Sequence, residues 1–173
     1  MNKIKIPKNR LRKLKTFSLG KKPYELQNSK PDKIKNNLID LCSNDYFGLS
    51  RDIDVIKAAY EISLSEGLGS GSSRFITGSR PIHKLLETKL EEWLNQEKVL
   101  LFPSGFQANI AAVQSLANRN SIVIADKFIH NSLLVGVKAS GSKLVRFAHN
   151  DLRDLEKKIL KFNSTQKSIL IIV

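Results

Sequence analysis

The sequence predicts an α/β fold in which a mostly parallel sheet is flanked by helices. From residue 99 onward, short apolar runs alternate with amphipathic stretches, which is the pattern of repeated βα units. The runs at 122–125 and 169–173 are apolar at every position, as is typical of strands buried on both faces. We therefore expect parallel strands joined by helices that cover both faces of the sheet.

The N-terminal part predicts fewer regular elements. Residues 1–36 are rich in charge and contain three prolines, so we expect an arm with only a short helix around 10–17. The apolar run 38–42 predicts a strand that ends in a turn. A helix is expected to begin after Asp52 as its cap and to end near Glu66, before Gly67.

The remaining elements follow in order along the chain. Residues 67–81 contain too many glycines for regular structure and predict a long loop. The next helix, 82–95, has one apolar stripe that needs a sheet or helix to cover it. Strands are then predicted at 99–102, 122–125, 144–147 and 169–173, and helices at 106–117, 132–140 and 151–160.

Composition limits the class of protein. At 173 residues, with 41% hydrophobic and 26% charged residues, the chain has the size and content of one globular domain. It contains no apolar run of about 20 residues and no apolar signal segment, and Cys42 is the single cysteine. We predict a cytoplasmic protein. Residues 1–45 are expected to form a basic arm and first strand, and residues 46–173 an incomplete larger domain.

The formal net charge is +13, and nine lysines and arginines precede the first acid, Glu25. Such an arm is typical of modules that bind nucleic acid or an anionic surface. The alternative is a solvated arm in a chain that uses Lys, Asn and Ile heavily. No aromatic residues alternate with the first lysines, as single-strand binders prefer, which favours the solvated arm.

One strand-to-helix junction has the form of a phosphate site. In Phe102-Pro-Ser-Gly-Phe106, a buried strand is predicted to pass directly into a helix. The first amides of a helix have no internal acceptors and point outward at the positive end of its dipole, so they bind anions. The alternative is that Gly105 only permits a tight turn.

His130 follows the predicted strand 122–125 at its carboxyl end, where open α/β sheets place ligands. A histidine there can stack on a flat cofactor and hydrogen-bond a substrate, or it can simply cap the next helix. His83 begins an amphipathic helix, and His149 precedes Asn150 and Asp151, which together resemble a helix cap. Both are weaker candidates.

Two common kinds of site are excluded. No Cys/His spacing resembles a zinc site, so no metal is expected. The loop with Gly69, Gly71 and Gly78 follows a helix instead of a strand, which is the wrong context for a dinucleotide-binding fingerprint.

Taken together, a series of motifs between about residues 38 and 155 resembles the N-terminal half of the α-oxoamine synthases. Each motif alone is ordinary, but their order and spacing are specific. The motifs are Ser43-Asn-Asp-Tyr-Phe-Gly-Leu49, Gly69-Ser-Gly-Ser-Ser-Arg74, Thr77-Gly78 with His83, Leu101-Phe-Pro-Ser-Gly-Phe-Gln-Ala-Asn109, Ala125-Asp126 with His130-Asn-Ser-Leu133, and Arg146-Phe-Ala-His-Asn-Asp151.

The resemblance implies the N-terminal portion of the fold-type-I transferase fold, a homodimer and the cofactor pyridoxal 5'-phosphate. It is strongest to the member of the biotin pathway, which condenses L-alanine with pimeloyl-CoA or a pimeloyl-carrier protein. Members that make 2-amino-3-ketobutyrate, 5-aminolevulinate or a sphingoid base remain alternatives. By motif match, Gly105 and Phe106 would bind the cofactor phosphate and His130 would stack on the pyridine ring and contact substrate. Arg12 would bind the carboxylate of the acyl substrate.

The family's Schiff-base lysine, and the aspartate that pairs with the pyridine nitrogen, come from a later part of its large domain. None of the lysines in this chain stands in a matching motif. The resemblance therefore implies a truncated chain that is catalytically inert by itself.

Overall fold

The computed structural model describes residues 11, 13–22, 24–28 and 37–173. Its contacts divide the chain into two compact units, Met1–Arg80 and Pro81–Val173, and each is described by itself. The expected division of the chain at residue 45 stays a prediction.

The first unit contains a small antiparallel sheet. Strands β1 (Phe17–Leu19), β2 (Glu25–Asn28) and β3 (Asn37–Ile39) pair in the order β1-β2-β3. The short helix expected around 10–17 is wrong for the residues that the structure describes: 13–16 form no helix, and Phe17 begins β1. Backbone pairing of 17–19 with β2 takes precedence over the weak local helical pattern.

Strand β3 is shorter than the predicted run 38–42 because side chains bond the backbone beyond Ile39. The Asp40 carboxylate accepts a hydrogen bond from the Cys42 N–H at 2.9 Å, and the Ser43 hydroxyl accepts one from the Asp45 N–H at 3.1 Å. Such local bonds compete with the hydrogen bonds of a sheet. The turn that we predict after the run 38–42, at Ser43–Asp45, therefore starts three residues earlier, at Asp40.

Helix α1 (Ile53–Glu66) has the predicted ends. The Asp52 carboxylate accepts hydrogen bonds from the N–H groups of Asp54 and Val55, at 2.9 and 3.1 Å. Gly67 ends the helix with φ 79°, and its N–H bonds Ser63 O at 3.0 Å. The loop that follows is irregular, as predicted, apart from one π-helical turn at Arg74–Gly78.

The second unit is an α/β sandwich built on a three-stranded parallel sheet of order β5-β4-β6. The prediction of parallel βα units is confirmed. No helix in the described ranges is long and apolar enough to cross a membrane. The elements are α2 (Pro81–Leu94), α3 (Gly105–Leu116), β4 (Ser121–Asp126), α4 (Asn131–Ser140), β5 (Lys143–Phe147), α5 (Leu152–Asn163) and β6 (Ser168–Ile172).

Strand β4 forms the centre of the core, and all six of its residues are buried. Its side chains alternate between the two faces of the sheet. Val123 and Ala125 pack with Val113 of α3 and Val137 of α4. Ile122 and Ile124 pack on the other face, where the partners are Phe147 and residues of α5. Helices therefore cover both faces of the sheet, as the apolar sequence of β4 predicts.

The strand predicted at 99–102 is wrong for this structure, which has no regular element there. A strand needs a neighbour to satisfy its N–H and C=O groups, and residues 99–102 pair with neither outer strand of the sheet, β5 or β6. Leu100 and Phe102 accordingly remain 68% and 39% exposed. The apolar stripe of α2 also stays open within its unit, with Leu85 55% and Trp93 79% exposed.

Candidate functional site

The N-terminus of α3 has two backbone N–H groups that are available to a ligand. The hydroxyl of Ser104, the N-cap residue, accepts a hydrogen bond from the Gln107 N–H at 3.3 Å, and its carbonyl accepts one from the Ala108 N–H at 3.1 Å. Within the part of the chain that the structure describes, the N–H groups of Gly105 and Phe106 have no acceptor. The first turn of α3 can therefore bind an anion with two amides and its helix dipole.

There is also room for a ligand at this helix start. Gly105 and Phe106 are both exposed, and a Cβ added to Gly105 would meet no atom within 4 Å. An oxyanion can therefore reach the two amides without displacing a side chain.

His130 is the N-cap of α4, in the turn that follows the carboxyl end of β4. Its Nδ1 accepts a hydrogen bond from the Ser132 N–H at 3.2 Å and lies 2.6 Å from the Ser132 hydroxyl. The same hydroxyl receives a hydrogen bond from Asn109 Nδ2 at 2.9 Å. Ser132 is fully buried, while the His130 ring is exposed. His130 therefore caps the helix and is still accessible to a ligand.

The structure brings the two candidate groups together. The rings of Phe106 and His130 meet edge to face, with centroids 6.4 Å apart. This proximity depends on close packing of α3 against α4. A Cβ added to Gly136 of α4 would lie 2.9 Å from the Cβ of Val113, closer than side chains normally approach. Glycine at 136 thus allows the two helices that carry the site to pack closely.

A second polar cluster lies at the carboxyl ends of β4 and β5. The Asp126 carboxylate accepts hydrogen bonds from the Phe128 N–H at 2.7 Å, from His149 Nδ1 at 3.0 Å and from the Asn150 N–H at 3.1 Å. The Phe128 N–H contributes most to holding the pKa of Asp126 below its ordinary value, and burial opposes it. The cluster joins the loop after β5 to the loop after β4, which ends at His130.

The helix cap predicted at Asn150 and Asp151 is only partly correct. Asp151 caps α5 by accepting hydrogen bonds from the N–H groups of Arg153 and Asp154, both at 3.0 Å. His149 and Asn150 contribute to the Asp126 cluster instead, and Asn150 takes a left-handed conformation with φ 56°. The left-handed residue turns the chain so that its own N–H points back toward β4.

The depressed pKa of Asp126 predicts that the stability of the fold decreases in acid. Because the folded-state pKa of this carboxyl is depressed, its charge stabilises the protein above the unfolded-state pKa near 4, and this stabilisation is lost as the pH falls through the folded-state pKa. In Asp126→Asn we expect lower stability than in the wild type at pH 7 and a flatter loss of stability below about pH 4. Urea unfolding at pH 7 and at several pH values below about 4 measures the free energy of unfolding of both proteins. Equal slopes for the two proteins below pH 4 would contradict the prediction.

The other predicted residues are placed as follows. Arg12, with most of the basic arm, lies outside the described residues, so its role and anion binding by the arm stay predictions. His83 lies in α2, and a role for it in the site stays a prediction. The described ranges contain no group of three or more His, Cys, Asp or Glu residues able to hold a metal.

Three polar residues near the site, Asn109, Asp126 and Ser132, are not among the predicted site residues. Asn109 and Ser132 lie inside the motifs but carry no local signature of a mutual contact across 23 residues. Asp126 has a usable signal, because an acid at the end of a fully apolar parallel strand must find partners at the edge of the sheet.

The sequence is similar to known enzymes over most of its length. The family model described as "Aminotransferase class I and II" matches residues 36–173. An 8-amino-7-oxononanoate synthase of Trichlorobacter lovleyi is 37% identical over 131 residues, which are 76% of this chain and 33% of the relative. One from Herminiimonas arsenicoxydans is 39% identical over 134 residues, 78% of this chain and 34% of the relative. The chain thus spans about a third of the length of these relatives.

Solved structures of related transferases are also similar to this chain. The serine palmitoyltransferase of Sphingomonas wittichii matches with a TM-score of 0.78 and 29% identity, covering 86% of this chain and 36% of that one. That of S. paucimobilis with a bound PLP–myriocin aldimine matches with a TM-score of 0.82 and 26% identity, covering 91% and 38%. The fold is the N-terminal portion of the PLP-dependent transferase fold, whose cofactor is pyridoxal 5'-phosphate. The chain belongs to the aminotransferase class I and II family, and within it to the α-oxoamine synthases.

Proposed function

We propose that this chain is the phosphate- and ring-binding segment of an 8-amino-7-oxononanoate synthase. Such an enzyme condenses L-alanine with a pimeloyl thioester, with loss of carbon dioxide, in biotin biosynthesis. The observation that carries the proposal is the pair of free amides at Gly105 and Phe106, next to the exposed ring of His130. The relatives named for this activity support the choice of reaction.

The residues present fit pyridoxal 5'-phosphate. Its phosphate is a dianion, and the start of α3 offers two N–H donors, the positive end of a helix dipole and open space. Its pyridine ring is flat and aromatic, and the His130 imidazole is an exposed aromatic partner held at a fixed position by its cap bonds. When bound, the cofactor supplies an electron sink for the carbanion that forms at the α-carbon of the amino acid.

The proposal assigns a role to each predicted residue. Gly105 and Phe106 bind the phosphate, and His130 stacks on the ring and contacts the substrate. Arg12 binds the carboxylate of the pimeloyl group. The substrates are L-alanine and pimeloyl-CoA or a pimeloyl-carrier protein, and the complete enzyme is a cytoplasmic homodimer.

Deleting a single N–H group tests the phosphate site. Gly105→Pro removes one of the two amides at the first helical position, where proline is well tolerated. Ser104 already has the extended backbone that a following proline requires, with φ −158° and ψ 151°. A lost hydrogen bond to a charged group costs about 1.5–3 kcal/mol, so we expect pyridoxal phosphate to bind about 10- to 100-fold more weakly. Fluorescence titration of the variant measures the Kd.

Gly105→Ala is the matched control. It keeps the N–H, and its Cβ meets no atom within 4 Å, so binding should change by less than about threefold. Pyridoxal without its phosphate should bind both variants equally. Equal Kd values for pyridoxal phosphate in Gly105→Pro and Gly105→Ala would mean that the phosphate binds elsewhere.

We further propose that the 173 residues do not catalyse the reaction by themselves. In the family, the lysine that forms the Schiff base comes from a later part of the large domain, and no lysine here stands in its motif. Borohydride reduction of the chain with pyridoxal phosphate should therefore give no stable pyridoxyl group at one specific lysine. Peptide mapping that found a single site with high occupancy would overturn this proposal.

The second candidate function is that of a serine palmitoyltransferase. It is favoured by the structural match, since the two transferases reach TM-scores of 0.78 and 0.82 while an 8-amino-7-oxononanoate synthase from Francisella tularensis reaches 0.58. Activity assays separate the two candidate functions. A complete enzyme that carries this segment would be assayed with L-alanine and pimeloyl-CoA and, in parallel, with L-serine and palmitoyl-CoA. Turnover of L-serine with palmitoyl-CoA alone would replace the first proposal.

Two other members of the family can be identified in the same assay. Turnover of glycine with acetyl-CoA would indicate the enzyme that makes 2-amino-3-ketobutyrate, and turnover of glycine with succinyl-CoA the one that makes 5-aminolevulinate.

A further inference from the structure

The buried hydrogen bonds behind His130 determine which of its ring nitrogens carries the proton. Three residues take part: Asn109 through its amide, Ser132 through its hydroxyl and its backbone N–H, and His130 through its imidazole. Asn109 Nδ2 lies 2.9 Å from Ser132 Oγ, and Ser132 Oγ lies 2.6 Å from His130 Nδ1. The backbone N–H of Ser132 lies 3.2 Å from the same Nδ1.

The proton positions follow from the donors in this chain of bonds. A backbone N–H can only donate, so Nδ1 must accept from the Ser132 N–H. The Asn109 amide nitrogen also only donates, so it occupies one of the two lone pairs of the Ser132 oxygen. Because Nδ1 already accepts from the Ser132 N–H, it has no hydrogen to offer the second lone pair, and the hydroxyl donates its hydrogen to Nδ1. Both groups facing Nδ1 are therefore donors. A hydrogen on Nδ1 would face two other hydrogens, and Ser132 is too buried for water to relieve the conflict.

We infer that Asn109 and Ser132 are positioning residues that keep His130 in the tautomer with hydrogen on Nε2. His130 then presents an N–H donor to whatever binds beside the start of α3, and it does not act there as a proton acceptor. Its partner is an acceptor oxygen, such as a carboxylate or a phenolate. The identity of that partner rests on the proposed function, whereas the tautomer rests only on the hydrogen bonds within this chain.

Nitrogen-15 spectra of the histidine side chains in the complete 173-residue chain test the inference without any cofactor. At about pH 8.5, where histidine side chains are neutral, the His130 signals should correspond to one tautomer, with hydrogen on Nε2. Asn109→Asp keeps the size of the side chain but replaces a donor with an acceptor, so the Ser132 hydroxyl turns away from Nδ1. In this variant the population with hydrogen on Nδ1 should rise severalfold.

Two further variants separate positioning from simple stability. Ser132→Ala removes one of the two donors that face Nδ1 and keeps the backbone N–H, so it should also raise the population with hydrogen on Nδ1. Ser140→Ala removes a hydroxyl of the same helix that bonds Val137 O at 2.8 Å, and should leave the His130 signals unchanged. The inference is overturned if wild-type His130 carries hydrogen mainly on Nδ1, or if Asn109→Asp folds normally with unaltered His130 signals. Failure of pyridoxal phosphate to bind would refute the proposed function and leave the tautomer result intact.

Discussion

Replacing Gly136 with leucine should lower the free energy of unfolding by about 3 kcal/mol, because it inserts a side chain where two helices touch. A Cβ alone would already lie 2.9 Å from the Cβ of Val113 and 3.3 Å from the Cα of Ile110. Helices α3 and α4 must then separate. Since α3 carries Phe106 and α4 carries the His130 cap, the ring contact between them should be lost as well. Urea unfolding measures the first effect, and the loss of cross-peaks between the two rings in NMR spectra measures the second.

Ala139→Leu is the control for this substitution. Ala139 of the same helix is exposed, so a leucine there can extend into solvent, and stability should change by less than about 0.5 kcal/mol. Equal losses at positions 136 and 139 would mean that the close approach of the helices is not what Gly136 provides.

Ile124→Ala should cost about 2–5 kcal/mol, since it leaves a cavity in the centre of the sheet. Ile124 is fully buried in β4, between strands on both sides and against Phe147 and α5. The two flanking strands are held by backbone pairing with β4 and cannot move into the space. Chemical unfolding monitored by circular dichroism measures the change.

The matched control lies beside it in the sheet. Ile171 of β6 pairs in register with Ile124 but is 43% exposed, so Ile171→Ala removes the same atoms from a position that water already reaches. We expect less than half of the loss seen for Ile124→Ala. A larger loss at 171 would show that the centre of the core is not at β4.

The elements that sequence predicts well are those whose stabilising partners are local or apolar. The caps of α1 at Asp52 and Gly67 and the run of β4 can be predicted because the signal lies in the residues themselves. The run 99–102 has the same apolar character, yet it forms no strand, because a strand also needs an adjacent strand to pair with, and this run pairs with none. Local pattern alone carries no information about that neighbour.

Some residues of the candidate site can likewise be predicted from local sequence, and others cannot. Free amides after Ser104 follow from the rules of helix starts, so Gly105 and Phe106 can be chosen from the sequence. For His130 the sequence allows either a helix cap or a ligand-binding ring, and in the structure it both caps α4 and stays exposed. The bonds from Asn109 through Ser132 depend on how two helices approach each other, which a single sequence does not specify.

The direct contact of α3 with α4 has a consequence for how the site is assembled. Asn109 and Ser132 are separated by only 23 positions, and Phe106 and His130 belong to the same two helices. Closing a segment of that length has a modest entropic cost, and contacts between near neighbours in sequence form early in folding. The site that we propose for phosphate and ring can thus form within one helix–strand–helix unit as the chain is synthesised, before more distant segments are available.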